Sequence, residues 1–315
     1  MKIKKLYVIS LIGILFGCLT SCSNNDEPKE ENKTPYYDNE EPKEENKTPN
    51  CLLGFKFEQN MINANEFTSQ VSTVAVWAFN KAGDLVWSKT ESADKTFSKD
   101  YAMPAYLPEG EYDIVTWCGK TTDFFKLLPA SLSSLSQLSL SLPLVDKDGT
   151  KVCNTELPVT FNGHKEFTVT DNPEQNSITL DLFQATKSIR LNLQGNQNEI
   201  NAEDFDFYIT DTANILEWNL NSKSSQSFEY RPYEIKSESS IGGESITIIV
   251  ADFTTLCFNA ESKATLHISN KNTGELINMP LVPHLLQAKP YEAADWSDKE
   301  YLDRKSKYNV MFFVQ

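Results

Sequence analysis

Few residues in this chain are of the types that carry chemistry. Three histidines (His164, His267 and His284) and six cysteines are the soft metal ligands available in 315 residues, and none stands at zinc or haem spacing. A Gly-rich phosphate loop, a GxSxG elbow, HExxH and CxxC are all absent from the sequence. Asp146-Lys147-Asp148-Gly149 opens like a calcium loop, but Thr150 and Lys151 stand where a third acidic ligand and the loop glycine belong, so it reads as a plain turn. His267 lies in a predicted strand between Leu266 and Ile268, on its polar face. Asp204 and Asp206 share one strand face, as a glycosidase dyad would, yet in an acidic chain the pair reads as a solvated face. The sequence therefore predicts no enzyme, no cofactor and no metal. The formal charge is −15, and losing Lys2, Lys4 and Lys5 with a leader would take it to −18. With no basic stripe to offset that surplus, nucleic acid is excluded as a partner.

One cysteine does have chemistry written around it. Lys2, Lys4 and Lys5 precede an apolar run from Leu6 to Leu19, shorter than the roughly 20 residues a membrane-spanning helix needs. It reads as a signal-peptide core, residues 1–21. The following Leu19-Thr20-Ser21-Cys22 resembles the bacterial lipobox, which implies cleavage before Cys22 and lipidation of that cysteine. Ser23-Asn24-Asn25-Asp26-Glu27 resembles the acidic signal that sends some lipoproteins to the outer face of the outer membrane. Glu27-Pro28-Lys29-Glu30-Glu31-Asn32-Lys33-Thr34-Pro35 recurs identically as Glu41 to Pro49. A segment so polar has nothing to bury, so residues 22–50 read as a lipidated N-terminus and a disordered acidic tether. Drawn out fully, the tether would reach about 95 Å.

The elements beyond residue 50 carry β signals. Val71 to Phe79 is apolar at nearly every step after Thr73, as a strand covered on both faces would be. Asn80-Lys81-Ala82-Gly83-Asp84 turns it into Leu85-Val86-Trp87, and Pro108-Glu109-Gly110 leads into a strand from Glu111 to Trp117. Further on the alternation is cleaner: Ile178, Leu180 and Leu182; Ile189, Leu191 and Leu193; Phe205, Phe207 and Ile209. Ile246 to Val250, Ala264 to Ser269 and Tyr308 to Val314 complete the set, with Asn272-Thr273-Gly274 as a hairpin turn. Ser297-Asp298-Lys299-Glu300 fits a capping box opening a short helix toward Ser306. Pro129 to Leu144 divides between helical and strand spacing. The pattern predicts an all-β chain of two tandem antiparallel β-sandwich domains, residues 51–174 and 175–315. Cys51, Cys118, Cys153 and Cys257 admit three pairings; a Cys51–Cys118 bridge within the first domain is preferred, against all four being free.

In order along the chain, Asn60-Met61, Val74-Ala75-Val76-Trp77-Ala78-Phe79-Asn80, Gly83-Asp84-Leu85-Val86-Trp87, Leu107-Pro108-Glu109-Gly110-Glu111-Tyr112-Asp113 and Thr116-Trp117-Cys118-Gly119 resemble the FimB family of fimbrial anchor lipoproteins. Ser297 to Arg304 and the closing Tyr308-Asn309-Val310-Met311-Phe312-Phe313 are similar to that family's ending. The resemblance implies two transthyretin-like sandwiches and a membrane-proximal role in a fimbrillin-type pilus, with pilin subunits and outer-membrane lipid as partners. Prolines at 280, 283 and 290 depart from a regular central strand there.

Such an anchor must offer a sheet edge or a strand to the next subunit. Tyr308, Val310, Met311, Phe312, Phe313 and Val314 form the candidate assembly strand, apolar on both faces. Completion of its own domain is the preferred reading, since only Gln315 follows; donation to a neighbour is the other. A surface glycan-binding lipoprotein is the alternative function, because Trp77, Trp87, Trp117, Trp218 and Trp296 could stack on sugar rings. An anchor would instead bury Trp77 and Trp117.

Overall fold

The computed structural model describes residues 48–195, 200–240 and 246–314; Cys22 and the acidic repeat as far as Lys47 lie outside the described residues. In chain order the strands are β1 (Cys51–Lys56), β2 (Thr73–Asn80), β3 (Leu85–Ser92), β4 (Ala102–Ala105), β5 (Gly110–Gly119), β6 (Ser139–Ser141), β7 (Val145–Lys147), β8 (Thr150–Cys153), β9 (Thr160–Val169), β10 (Ser177–Asp181), β11 (Phe183–Gln184), β12 (Thr186–Gly195), β13 (Phe205–Glu217), β14 (Ser222–Tyr230), β15 (Glu234–Ser240), β16 (Ile246–Leu256), β17 (Thr265–Asn270), β18 (Gly274–Pro280) and β19 (Lys307–Val314). Among the described residues three short α-helices join them, α1 (Phe67–Gln70), α2 (Leu281–Gln287) and α3 (Asp298–Arg304), along with several 3-10 turns.

The strands form four sheets, ordered β10-β1-β4, β11-β9-β5-β2-β3, β15-β16-β12-β19 and β18-β17-β13-β14-β8-β7, with β6 added to β13. The first two sheets pack through Leu53, Phe55, Val74, Val76, Ile114, Cys118 and Leu180. The other face of β2 and β5, carrying Ala75, Trp77, Phe79, Val115 and Trp117, belongs to the larger core that fills the second pair of sheets. That double cover is why β2 is buried from Thr73 to Phe79 and why its sequence does not alternate. In β13 one face is wet, so Phe205, Phe207 and Ile209 alternate with partly exposed neighbours.

Strand pairing crosses the boundary expected between residues 174 and 175. β10 lies parallel to β1, Leu53 opposite Ile178, and β11 joins β9, so the chain stays with the first pair of sheets as far as Gln184. In the opposite sense, β6 pairs with β13 and β8 runs parallel to β14, lending two pieces of the first half to the second. Three of the four sheets are thus mixed where purely antiparallel ones were expected, with parallel pairs at β1/β10, β8/β14 and β12/β19, while β11-β9-β5-β2-β3 is antiparallel throughout.

Local signals hold where they are short-range. Ser297 caps α3 by accepting the Glu300 N–H at 3.1 Å. The 129–144 stretch divides into a 3-10 turn at Leu135–Gln137 and the strand β6. β18 stops at Pro280, and α2 follows with Pro283 in its first turn, where a missing N–H costs nothing.

Candidate functional site

β19 closes the third sheet. It pairs parallel with β12 from Ser188↔Lys307 to Gly195↔Val314, and among the described residues no strand pairs on its other side. Alternation sends Tyr308 and Val310 into the core at 4% and 7% exposure, with Phe312 and Val314 packed against it, while Met311 and Phe313 stand 47% and 70% exposed. Phe312 stacks on His284 of α2 with ring centroids 5.6 Å apart. Burial raises the Tyr308 phenol well above its ordinary range, and its buried hydroxyl has no hydrogen-bond partner among the described residues.

The other long edges carry the devices that discourage strand addition. β15 displays Glu234, Lys236 and Glu238, with the lysine 3.6 and 3.5 Å from its two carboxylates. β3 pairs Lys89 with Glu91 at 2.8 Å. β4 contains Pro104 and β18 ends in Pro280. β19 has eight residues, no proline and no charge after Lys307. Its open edge can therefore accept backbone hydrogen bonds along its length and add two exposed side chains, Met311 and Phe313, to the contact.

Chain direction orients this edge. β1 runs parallel to β10, which leads through Leu182 and β11 into β12, so Cys51, the first residue of β1, sits at the end of its sheet remote from that junction. β12 leaves the junction and β19 runs parallel to it, so Val314 also lies at the remote end of its own sheet.

The remaining sequence candidates disperse. Cys51, Cys118, Cys153 and Cys257 are all free thiols, so the preferred Cys51–Cys118 bridge is not made. Cys51 belongs to β1 and Cys118 to β5 in the facing sheet, and both side chains lie in the core between the two sheets. Burial raises both thiols. Asp206 is taken by Arg231 Nη1 at 2.6 Å, while Asp204 sits in the 3-10 turn ahead of β13, so they form no free dyad. His267 stacks on Tyr208 at 4.5 Å and bonds Thr210 Oγ1 at 3.2 Å. Asp146 accepts the Gly149 N–H at 3.0 Å in the β7–β8 turn, and no group of metal-ligating side chains occurs among the described residues. Trp77 and Trp117 are buried. Trp87, Trp218 and Trp296 pack against the cores, Trp218 edge-on to His164 and Trp296 beneath the Arg304 guanidinium. The sequence reading missed Lys187, a buried lysine in β12, although its place in the Lys187, Ile189, Leu191, Leu193 series marks it as inward.

Comparison with solved structures finds the same fold in several proteins. A candidate adhesin from Bacteroides thetaiotaomicron matches with TM-score 0.71 and 23% identity, covering 85% of this chain and 92% of that one. A candidate polysaccharide-binding protein from the same species gives 0.68 and 24%, over 84% and 92%. The fimbrial anchor protein Mfa2 from Porphyromonas gingivalis gives 0.57 and 14%, over 84% and 89%. Among curated proteins none matches. Residues 44–315 match the family described as fimbrillin-A associated anchor proteins Mfa1 and Mfa2. The match takes in every described strand, from β1 to the open edge at β19, and the chain accordingly belongs to this family of fimbrial anchor proteins.

Proposed function

We propose that this chain anchors a fimbrillin-type pilus to the outer membrane as its membrane-proximal subunit. Acyl chains on Cys22 hold it to lipid, the acidic tether lifts the head clear of the surface, and the next pilin joins by strand addition at β19. The two pairs of sheets act in this reading as tandem transthyretin-like sandwiches. Family membership across residues 44–315 carries the proposal. The open, nearly uncharged β19 edge supports it by supplying a surface of the required kind.

Glycan binding is the rival, and a structural relative described as a candidate polysaccharide-binding protein is its best support. Sugar stacking needs flat aromatic faces open to solvent. The five tryptophans are buried or packed against the cores, which favours the anchor. The test is to isolate pili from the native strain and identify their proteins by mass spectrometry. Co-purification of this chain at substoichiometric, base-located amounts is the expected result, and pili that lack it entirely would refute the proposal.

A further inference from the structure

At the junction end of the third sheet the inner face, apolar elsewhere, gathers polar side chains. Lys187 is 1% exposed, on the same face of β12 as Ile189, Leu191 and Leu193. Its Nζ donates to the Asp303 carbonyl at 2.9 Å, whereas the Asp303 carboxylate is engaged by Lys299. Directly opposite Lys187 in register stands Thr255, and beside Ile189 stands Tyr308; both hydroxyls are buried without partners among the described residues. Cys257 lies two residues beyond Thr255 on the same face, its N–H continuing the ladder to the Ala185 carbonyl at 2.7 Å. Lys187 and Cys257 are therefore diagonal cross-strand neighbours, about 7–8 Å apart at Cα, within reach of a lysine side chain.

The two groups act on one another. Burial pushes the Lys187 amine down to about 8, which leaves roughly a tenth of it neutral and nucleophilic at pH 7. Burial pushes the Cys257 thiol up to about 11, against the pull of Lys187. Cys51, Cys118 and Cys153 are buried residues, while Cys257 is half-buried as a residue and stands diagonally across the strand pair from Lys187.

We propose that Lys187 and Cys257 form a redox-responsive modification site, which peroxide closes into a covalent N–O–S bridge between Nζ and Sγ. One hydrogen peroxide takes two electrons from the thiol, makes the S–O bond of a sulfenic acid and leaves as water. A second takes two more electrons as the N–O bond forms: the amine gives up one hydrogen, the sulfenic acid gives up its hydroxyl hydrogen, and two waters leave. The chain thereby gains one oxygen and loses two hydrogens. The bridge would tie β12 to the end of β16 where β12 receives the chain from the first pair of sheets. This chemistry is independent of the anchoring reading.

The experiment treats the folded full chain with graded hydrogen peroxide, then measures intact mass and maps peptides before and after dithiothreitol. The expected result is a cross-linked pair of peptides containing residues 187 and 257, heavier by one oxygen less two hydrogens, and separated by the reductant. Lys187→Arg and Cys257→Ser should each abolish it, with Cys257 in the former passing to sulfenic and sulfinic acids. The wild-type map is decisive even if a variant fails to fold. Oxygen addition confined to Cys257, a disulfide to another cysteine, or no change at all would each overturn the proposal.

Discussion

Two substitutions three residues apart in β19, on opposite faces of the strand, separate its service to its own fold from service to a partner. Val310→Asp places a carboxylate at a position 7% exposed in the core of the second pair of sheets. Unpaired there, it costs several kcal/mol whether it stays charged or is forced to take a proton. With a total stability of about 5–15 kcal/mol, that is a large fraction. Phe313→Asp changes a ring 70% exposed on the opposite face. Less than a third of a Phe burial worth about 1.5–3 kcal/mol is at stake there, so under about 1 kcal/mol is lost. Denaturant titration followed by circular dichroism should show Val310→Asp unfolded or far down in midpoint, and Phe313→Asp close to wild type. In a strand-addition contact a central aromatic contributes about 2 kcal/mol or more, so Phe313→Asp should weaken pilin attachment about 30-fold or more and shed pili into the medium. A Phe313→Asp chain as destabilised as Val310→Asp would refute the open edge. One that is stable and still retains pili would refute the use of that edge for assembly.

Cys22→Ala should release the protein from membranes, because the apolar leader is too short to hold it as a spanning helix; persistence in the membrane fraction after high-salt and high-pH washing would remove the lipid-anchor reading. Lys187, held at about 8 in the fold against an ordinary 10.5, binds its proton more weakly folded than unfolded, so stability rises with pH between those values at up to about 1.4 kcal/mol per unit. Lys187→Met should remove that rise, and be the more stable chain below pH 8, as read from urea midpoints of the two proteins across the window. Gly163→Val should lower the thermal midpoint, since even a Cβ at this place in β9 would meet the Asp181 carbonyl at 2.9 Å and Thr116 at 3.1 Å, and overpacking of this kind costs about 1–3 kcal/mol.

Local chemistry is what the sequence determined. The two-sided apolar run of β2, the alternation at Phe205, Phe207 and Ile209, the turn at Asn272-Thr273-Gly274 and the Ser297 cap all depend on residues within a turn or a strand of one another, and each stands in the structure as read. Family kinship was legible for the same reason, since its motifs are ordered strands and turns. Neighbours across the sheets were decided only by tertiary structure. Period-two alternation says which face of a strand is buried and is silent about which strand lies beside it. Nothing near Ser177 announces that β10 returns to lie parallel to β1, and nothing near Thr150 announces that β8 leaves its own half for β14. The parallel pairing of β19 with β12 joins residues far apart in sequence with no turn to betray it, and that pairing alone makes β19 an edge. Placing Cys51 and Cys118 in facing sheets, and enclosing the Lys187 amine beside Cys257, follow from the same long-range choices, because burial belongs to the packed sheets and not to any strand within them.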